Sequence, residues 1–297
     1  MASARRVGGW VVGITLAALL FLWLVPRGRH EPAPEGETTL QRLRRTGVAR
    51  VGYANEAPYA FVGNDGGLTG EAPEIARQIL QGLGVASIEG VLTEFGSLIP
   101  GLEAGRFDLI AAGMYITPER CREIAFSEPT YSIGEAFIVA VSNPLELHGY
   151  QDVAANADAT LGVVAGTVER NYARLMGIPD ERVVVFPDPP SAVAGVAAGR
   201  VDAYAGTRLT IRDLLSKSSG DALVMASPFH EPTVDGEVLR GYGAFGFRQE
   251  NEELRRAFNR ALEDFIGSEA HLALVAPFGF TAEELPGDVT TTQLCTD

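Results

Sequence analysis

Arg120 is the residue whose position suggests ligand chemistry most directly. It follows Thr117 and Pro118, a pair typical of a helix start. A guanidinium held at such a place can bind a carboxylate through two parallel N–H···O bonds. The alternative is a surface arginine paired with Glu119 or Glu123, so the segment indicates either a carboxylate-binding site or a solvated helix surface.

A second segment could bind the same anion. Gly166 and Thr167 come just before a helix predicted over 168–176. The first backbone N–H groups of a helix have no partner inside it, and they are well placed to bind an anion. A plain helix cap is the alternative interpretation, and Thr167 can fill both roles at once.

The remaining reactive side chains form no pattern of catalysis or metal binding. The 4 histidines are scattered, and neither Cys121 nor Cys295 has a neighbour at metal-ligand spacing. The single lysine, Lys217, lies in a polar segment over 216–219, and no acid–base pair is evident. Cys121 and Cys295 could form a disulfide if the chain is exported, or they could be two free thiols. We therefore predict no catalytic residue, no metal and no cofactor.

Composition excludes several classes of protein. The chain has 297 residues, of which 46% are hydrophobic, and its 34 Gly and 17 Pro are typical of a globular protein with many turns. With 24 Lys+Arg against 38 Asp+Glu, the formal net charge is −14. Such a surface repels phosphate backbones, so we expect no nucleic-acid partner.

The amino end predicts a membrane segment. Arg5 and Arg6 precede an uncharged apolar run over 7–26, which as a helix would span about 30 Å, the thickness of the bilayer core. The run ends without a typical signal-peptidase site, and no cysteine follows it for lipidation. We therefore expect an uncleaved signal-anchor within 1–30 and export of the remainder. The proline-rich, polar segment 31–37 predicts a linker.

The rest of the chain alternates predicted strands and helices, which indicates an α/β architecture. The predicted strands lie over 49–53, 107–111, 135–141, 160–164, 183–186, 201–205 and 242–247. The predicted helices lie over 40–43, 73–83, 168–176, 191–198 and 252–266.

Five segments in order resemble the amino-acid-type (family 3) solute-binding proteins of ABC importers. They are VGYANEAPYAF over 51–61, FGSLIPGL over 95–102 with GRFD over 105–108, GMYITPER over 113–120, FSEPTY over 126–131 and GRVDA over 199–203. The resemblance covers most of 38–279. It implies a periplasmic-binding-protein-like type II fold, in which two α/β lobes are joined by two crossing strands and close around a solute. The first lobe would comprise 38–138 and 240–297, and the second lobe 139–239.

The sequence departs from amino-acid binders of this family at Thr207. In those proteins an aspartate a few residues after the GRVDA segment binds the α-ammonium of the ligand, and Thr207 stands at that position here. The resemblance therefore places Thr207 among the ligand-binding residues, without the usual carboxylate. What the chain offers instead is Glu56, with Tyr59, Phe95 and Tyr115 on loops that face the same cleft in the family. Aromatic faces with one carboxylate suit a diffuse, weakly hydrated cation. Taken singly, each aromatic residue is more typical of a core.

The segments YANEAPY, TEFGSLIPGL, GMYITPER and DAYAGT resemble in particular the ectoine- and hydroxyectoine-binding proteins. Ectoine is a cyclic zwitterion with an amidinium and a carboxylate. The resemblance implies that Glu56 binds the ring nitrogens. The residues implied to enclose the ring are Tyr59, Phe95 and Tyr115. The groups implied to bind the carboxylate are Arg120, Thr167 and the backbone around Thr117.

This resemblance implies a binding protein that acts as a monomer and delivers ectoine or hydroxyectoine to an ABC permease. Three alternatives stay open at this point. The chain could bind a polar amino acid for an importer, it could be an enzyme similar to cyclohexadienyl dehydratases, which use the same fold, or it could be a sensor ectodomain whose output module is supplied by a partner.

Overall fold

The computed structural model describes residues 36–218 and 220–296. The predicted membrane segment over 7–26 and most of the predicted linker lie outside the described residues. Among the helices of the described ranges, none is long and apolar enough to cross a membrane.

Fifteen strands occur in the described part of the chain. In chain order they are β1 (Val48–Tyr53), β2 (Phe61–Val62), β3 (Leu68–Thr69), β4 (Ser87–Leu92), β5 (Leu109–Tyr115), β6 (Ala125–Phe126), β7 (Tyr131–Ile133), β8 (Glu135–Ala140), β9 (Leu161–Val164), β10 (Val183–Phe186), β11 (Ala203–Thr207), β12 (Leu223–Met225), β13 (Thr233–Val234), β14 (Glu237–Val238) and β15 (Gly241–Phe247).

The α-helices of the same ranges alternate with these strands. They are α1 (Thr39–Thr46), α2 (Glu71–Gly82), α3 (Leu98–Glu103), α4 (Pro118–Glu123), α5 (Tyr150–Ala155), α6 (Glu169–Leu175), α7 (Pro189–Ala197), α8 (Arg208–Lys217), α9 (Glu252–Phe265), α10 (Glu269–Val275) and α11 (Thr291–Leu294). Four short 3₁₀ helices lie at Phe95–Ser97, Asp180–Arg182, Ala276–Phe278 and Ala282–Glu284.

The strands form two larger sheets, one in each lobe. The first has the order β4-β1-β5-β15-β6, with β7 also paired to β15, and the second has the order β10-β9-β11-β8-β12. Strands β1, β4 and β5 are parallel, and so are β9, β10 and β11. Each sheet also contains an antiparallel strand from another part of the chain. In the first sheet β15 pairs with β5, and in the second β8 pairs with β11.

The chain crosses between the two sheets twice. The first crossing is at Gly134, between β7 in the first sheet and β8 in the second, and the other lies between β12 and β15. The strand predicted over 135–141 thus lies in the second sheet, and the strand predicted over 242–247 returns to the first. This is the predicted α/β fold with two lobes. The numerical limits of the lobes, 38–138, 139–239 and 240–297, stay predictions.

Both sheets carry apolar clusters on their two faces, because successive side chains of a strand point to opposite sides. In β5, Leu109 and Ala111 belong to one buried cluster, while Ile110 and Met114 belong to the cluster on the other face. Strand β8 shows the same alternation in the second lobe. Both sheets are therefore covered on both sides, as is usual for sheets with parallel strands.

Strands β5 and β11 each begin two residues later than predicted, for one physical reason. β5 begins at Leu109 and β11 at Ala203, whereas the patterns predict starts at 107 and 201. The aspartate just before each strand uses its side chain to bind the neighbouring backbone: Asp108 accepts from the amide of Arg50 at 2.9 Å, and Asp202 from that of Thr160 at 2.8 Å. The side chain replaces the first ladder bond, so the strand starts one residue after the aspartate.

Candidate functional site

A cavity lies between the two lobes, with about 310 Å³ of empty space that includes its opening to solvent. Its walls come from loops and strand ends of the first sheet, and from the segment after β9 and the end of β11 in the second. The lining residues are Glu56, Tyr59, Phe95, Ala112, Gly113, Tyr115, Arg120, Thr167, Val168, Glu169 and Thr207. Seven of the eight residues expected to bind ligand are in this set, and Thr117 is the exception.

Thr117 has a structural role next to the cavity. Its side chain accepts a hydrogen bond from the backbone N–H of Arg120 at 3.3 Å and so caps α4, with Pro118 at the first helical position. This cap fixes the start of α4 and therefore the position of Arg120 in its first turn. The backbone around Thr117 as a carboxylate-binding group stays a prediction.

The guanidinium of Arg120 bridges the two lobes. Its Nη1 donates to the carbonyl of Tyr115 at 2.7 Å, and its Nη2 donates across the cleft to the carbonyl of Gly166 at 2.9 Å. The Arg120 Cζ atom lies 5.6 Å from the centroid of the Phe95 ring. Within the described ranges Arg120 forms no ion pair, so the surface pairing with Glu119 or Glu123 does not occur there.

These contacts hold the positively charged guanidinium of Arg120 inside the cleft. Burial lowers its pKa, and the nearby carboxylate of Glu169 acts in the opposite direction. A guanidinium has five N–H donors, and the two carbonyls use two of them. Three donors remain for a bound anion.

The backbones of the two lobes touch beside Arg120. Gly166 has a φ of +80°, and a Cβ at that position would lie 2.5 Å from the Cα of Gly96 in the other lobe. Only glycine allows this approach, because any side chain at Gly166 would both strain the left-handed backbone and collide with Gly96. The cleft is therefore closed at this edge.

Thr167 lies on the turn that follows Gly166, two residues before α6 begins at Glu169. Its Oγ1 donates to the carbonyl of Val164 at 2.9 Å, and its backbone N–H points to the same carbonyl at 3.4 Å. The turn thus satisfies part of the hydrogen-bonding capacity of Thr167 internally. Its contact with a ligand carboxylate stays a prediction.

Three aromatic residues predicted to form a cage all line the cavity. Tyr59, Tyr115 and Phe95 are buried in the walls. Tyr59 stacks on Tyr131 with 5.2 Å between ring centroids, and Tyr115 meets Tyr131 edge-on at 6.3 Å. Tyr131, which the pattern did not single out, therefore supports two walls of the cage from behind.

The hydroxyl of Tyr115 is buried and has no hydrogen-bond partner among the described residues. A buried hydroxyl without a partner costs free energy. A ligand with a suitable polar atom would remove that cost.

Glu56 and Thr207 both line the cavity and are connected through the hydroxyl of Thr210. Glu56 accepts a hydrogen bond at 2.8 Å from Thr210, and Thr207 accepts one at 2.9 Å from the hydroxyl of Tyr59. The pKa of Glu56 is raised from 4.5 to about 7, mainly by burial. The hydrogen bond from Thr210 opposes this rise, and the charge of Glu169 adds to it. Thr207 also caps α8, because its Oγ1 accepts from the backbone of Thr210.

Glu169 is a cavity residue that the sequence did not reveal. It is 4% exposed, and its Oε2 has no partner in the described part of the chain. Burial raises its pKa, while the side chain of Thr167, the backbone N–H of Glu169 itself and the charge of Arg120 act in the opposite direction. A glutamate in the first turn of a helix is usually a solvated residue that interacts with the helix dipole, so its spacing carried no signal. It becomes a site residue because the lobes close over it.

Cys121 and Cys295 form a disulfide with 5.7 Å between their Cα atoms. Cys121 follows Arg120 in α4, and Cys295 follows α11. The bond therefore ties the carboxyl-terminal segment to the helix that carries Arg120. In the described ranges no group of three or more His, Cys, Asp or Glu side chains could hold a metal ion.

Comparison with known proteins places this geometry in a family. Residues 49–279 match the model of the bacterial extracellular solute-binding proteins, family 3. A probable amino-acid ABC transporter periplasmic-binding protein of Sinorhizobium fredii is 38% identical over 266 residues, covering 88% of this chain and 87% of that protein. The L-cystine-binding protein of Escherichia coli K12 is 27% identical over 230 residues, or 77% of this chain and 81% of that protein.

Solved structures show the same relationship. The crystal structure of EhuB in complex with hydroxyectoine superimposes with a TM-score of 0.79 at 37% identity, covering 87% of this chain and 98% of that one. An ancestral amino-acid-binding protein described as a precursor of cyclohexadienyl dehydratase has a TM-score of 0.70 at 24% identity over 81% of this chain and 99% of that one, which shows the shared fold alone. Because residues 49–279 match the family model and the two lobes form the cleft described above, the chain belongs to the bacterial extracellular solute-binding proteins, family 3.

Proposed function

We propose that the protein captures ectoine or hydroxyectoine outside the cytoplasm and delivers it to an ABC permease. The observation that carries the proposal is the set of side chains that line one cavity between the lobes: one guanidinium, two carboxylates and three aromatic rings. A cyclic zwitterion with an amidinium and a carboxylate is complementary to this set.

The carboxylate of the solute would bind Arg120. Three N–H donors of this guanidinium remain unused, and its fork geometry suits a carboxylate. Thr167 lies on the same side of the cavity, on the second lobe. An anion held between them would contact both lobes at once.

The amidinium of the solute would lie between Glu56 and Glu169. These carboxylates come from different lobes, and within residues 36–218 and 220–296 no hydrogen bond reaches Oε2 of Glu169. The faces of Tyr59, Phe95 and Tyr115 provide the apolar surface that a charge spread over a ring favours. Only the closed form brings these groups together, so ligand binding favours closure.

Similarity supports the same solute. The structure of EhuB with hydroxyectoine shares 37% identity over 87% of this chain. We propose capture and release without a chemical step, because the cavity residues are explained as ligand contacts and the relatives named above are binding proteins.

A polar amino acid is the second candidate solute. The Sinorhizobium relative is named as a probable amino-acid binder. In this chain Glu169 could pair with an α-ammonium, although the family aspartate is replaced by Thr207. Because Oε2 of Glu169 has no hydrogen-bond partner among the described residues, amino acids are included among the ligands to be tested.

The test is a ligand panel measured by thermal shift and isothermal titration calorimetry on the full-length chain. The panel contains ectoine, hydroxyectoine, glycine betaine, proline, glutamine and arginine, since a solute that binds only the folded state raises its stability. A shift with the two ectoines alone is expected. A shift with glutamine or arginine instead would replace ectoine by an amino acid, and silence across the panel would refute both candidates.

A pair of arginine variants locates the site. Arg120→Ala is expected to abolish ectoine binding, because it removes the carboxylate partner and the bridge to Gly166. Arg212→Ala changes an exposed arginine of α8 and serves as the matched control. Near-normal affinity in Arg120→Ala would refute the site assignment.

A further inference from the structure

Two threonine hydroxyls of the second lobe connect Tyr59 and Glu56 of the first. The Tyr59 hydroxyl donates to Thr207 Oγ1 at 2.9 Å, and Thr207 Oγ1 donates to Thr210 Oγ1 at 3.1 Å. Thr210 Oγ1 in turn donates to Oε1 of Glu56 at 2.8 Å. The hydroxyl chain, defined as Tyr59–Thr207–Thr210–Glu56, thus crosses the cleft, runs along the start of α8 and crosses back.

The hydroxyl chain has one direction. Each hydroxyl carries one hydrogen and gives it to the next member, and an ionised carboxylate can only accept. Glu56 is therefore the natural end of the chain. Thr207 Oγ1 also accepts from the backbone N–H of Thr210 at 3.3 Å, so the cap of α8 fixes both hydroxyls in place.

This arrangement determines what Glu56 can offer a solute. Its Oε1 is occupied by Thr210, and its Oε2 accepts no hydrogen bond from the described residues. Glu56 lines the cavity. A carboxylate held in this way presents one oxygen in a fixed orientation, whereas a free carboxylate would present two and could rotate.

We propose that Thr210 is a positioning residue for solute binding, whose hydroxyl holds Glu56 with one oxygen aimed at the cation of the solute and couples that orientation to closure of the lobes. The inference rests on the proposed function, because it concerns how the same cavity selects a cyclic cation. A planar cation needs one directed acceptor at each N–H, whereas a compact ammonium spreads three donors around one atom. The hydroxyl chain favours the planar cation, because it holds Glu56 with one acceptor oxygen in a fixed direction.

The charge state of Glu56 gives a readout that packing alone would not change. Burial and Glu169 raise the pKa of Glu56, and the bond from Thr210 lowers it. Losing that bond should therefore raise the pKa of Glu56. The acid limb, which is the pH range over which protonation of Glu56 weakens solute binding, should then move to higher pH. A substitution at Thr210 leaves the other titratable groups around Glu56 in place. They are Tyr59, Glu94, Tyr115, Arg120, Tyr131, Glu135, Glu169, Asp188, Tyr204, Asp213 and Lys217.

The experiment compares Thr210→Val with Thr210→Ser in the full-length chain. Calorimetry measures the dissociation constant for ectoine from pH 5 to pH 9, with the thermal midpoint of the unliganded protein as the measure of folding. Thr210→Val keeps the shape and removes the donor, so binding at pH 8 should weaken by about tenfold or more, and the midpoint of the acid limb should rise. Thr210→Ser keeps the donor and should stay close to wild type in both respects.

Two results would overturn the proposal. One is a Thr210→Val protein whose affinity for ectoine falls by the same factor at every pH. The other is a Thr210→Ser protein that loses as much affinity as Thr210→Val. If Thr210→Val does not fold, Tyr59→Phe removes the first donor of the hydroxyl chain and is expected to shift the acid limb in the same direction by less; no shift would again overturn it.

Failure of the proposed function would look different. Wild type would then bind an amino acid and not ectoine, and the same Thr210 series, titrated with that amino acid, would still decide the positioning role.

Discussion

Replacing Glu71 by glutamine should stabilise the protein in alkaline solution. Glu71 is the first residue of α2 and is 1% exposed. Its Oε1 accepts from Thr130 at 3.1 Å, but its Oε2 has no partner among the described residues. Burial raises the pKa of Glu71 from the usual 4.5 to about 8, although the bond from Thr130 lowers it. The folded protein therefore holds a proton on Glu71 that the unfolded chain releases near pH 4.5.

The sign and size of the effect follow from this difference. The folded pKa is the higher one, so the stability that Glu71 contributes is fully present below about pH 4.5 and is lost as the pH rises through about 8. Between pH 5 and pH 9 the loss amounts to roughly 4 kcal/mol at 1.36 kcal/mol for each pKa unit. Glutamine is neutral throughout, so Glu71→Gln removes this part of the pH dependence.

The assay is urea unfolding of wild type and Glu71→Gln at pH 5 and pH 9. With an m-value of about 3 kcal/mol/M, the advantage of the variant should grow by about 1 M in the midpoint between the two pH values. Glu103→Gln, an exposed carboxylate at the end of α3, is the control and should show no such growth. A variant that keeps the same offset from wild type at both pH values would show that Glu71 is ionised in the folded state, which would refute the reasoning.

Three further outcomes are expected. Phe95→Ala should weaken ectoine binding by at least about tenfold in calorimetry, because the ring lines the cavity and lies under the guanidinium of Arg120; near-normal affinity would contradict the cage. Reducing the Cys121–Cys295 bond, which spans 174 residues, should cost about 5 kcal/mol and lower the thermal midpoint by roughly 10 °C, and an unchanged midpoint would show that the bond does not restrain the unfolded chain. Thr207→Asp should lose ectoine and gain preference for an α-amino acid, since the new carboxylate cannot donate to Thr210, and an unchanged ligand ranking would refute this.

The α/β fold could be predicted from the sequence because the patterns that indicate strands and helices are local. The alternation of short apolar strands with amphipathic helices depends on neighbours a few residues apart, and strands such as β1, β8 and β10 lie within one or two residues of their predicted limits. The late starts of β5 and β11 were missed because Asp108 and Asp202 bind backbone groups more than forty residues away in sequence.

Arg120 illustrates what sequence could propose and not decide. The Thr117 and Pro118 start of α4 was readable, because capping acts within one turn. Whether the guanidinium pairs with a neighbour on its own helix or enters the cleft depends on the carbonyl of Gly166, which lies 46 residues later in the other lobe. That choice belongs to the tertiary structure.

The amino-acid sequence is enough to infer the α/β class, the order of elements, the resemblance to a family and most of the cavity-lining residues. The surroundings of Glu169, Glu71 and Thr210 depend on the tertiary structure. Each of them is a polar residue in or near the first turn of a helix, a position where sequence predicts solvent. They act otherwise because packing of distant segments removes water from them: the contact of Thr210 with Glu56 joins residues 154 apart, and burial of that kind has no local pattern.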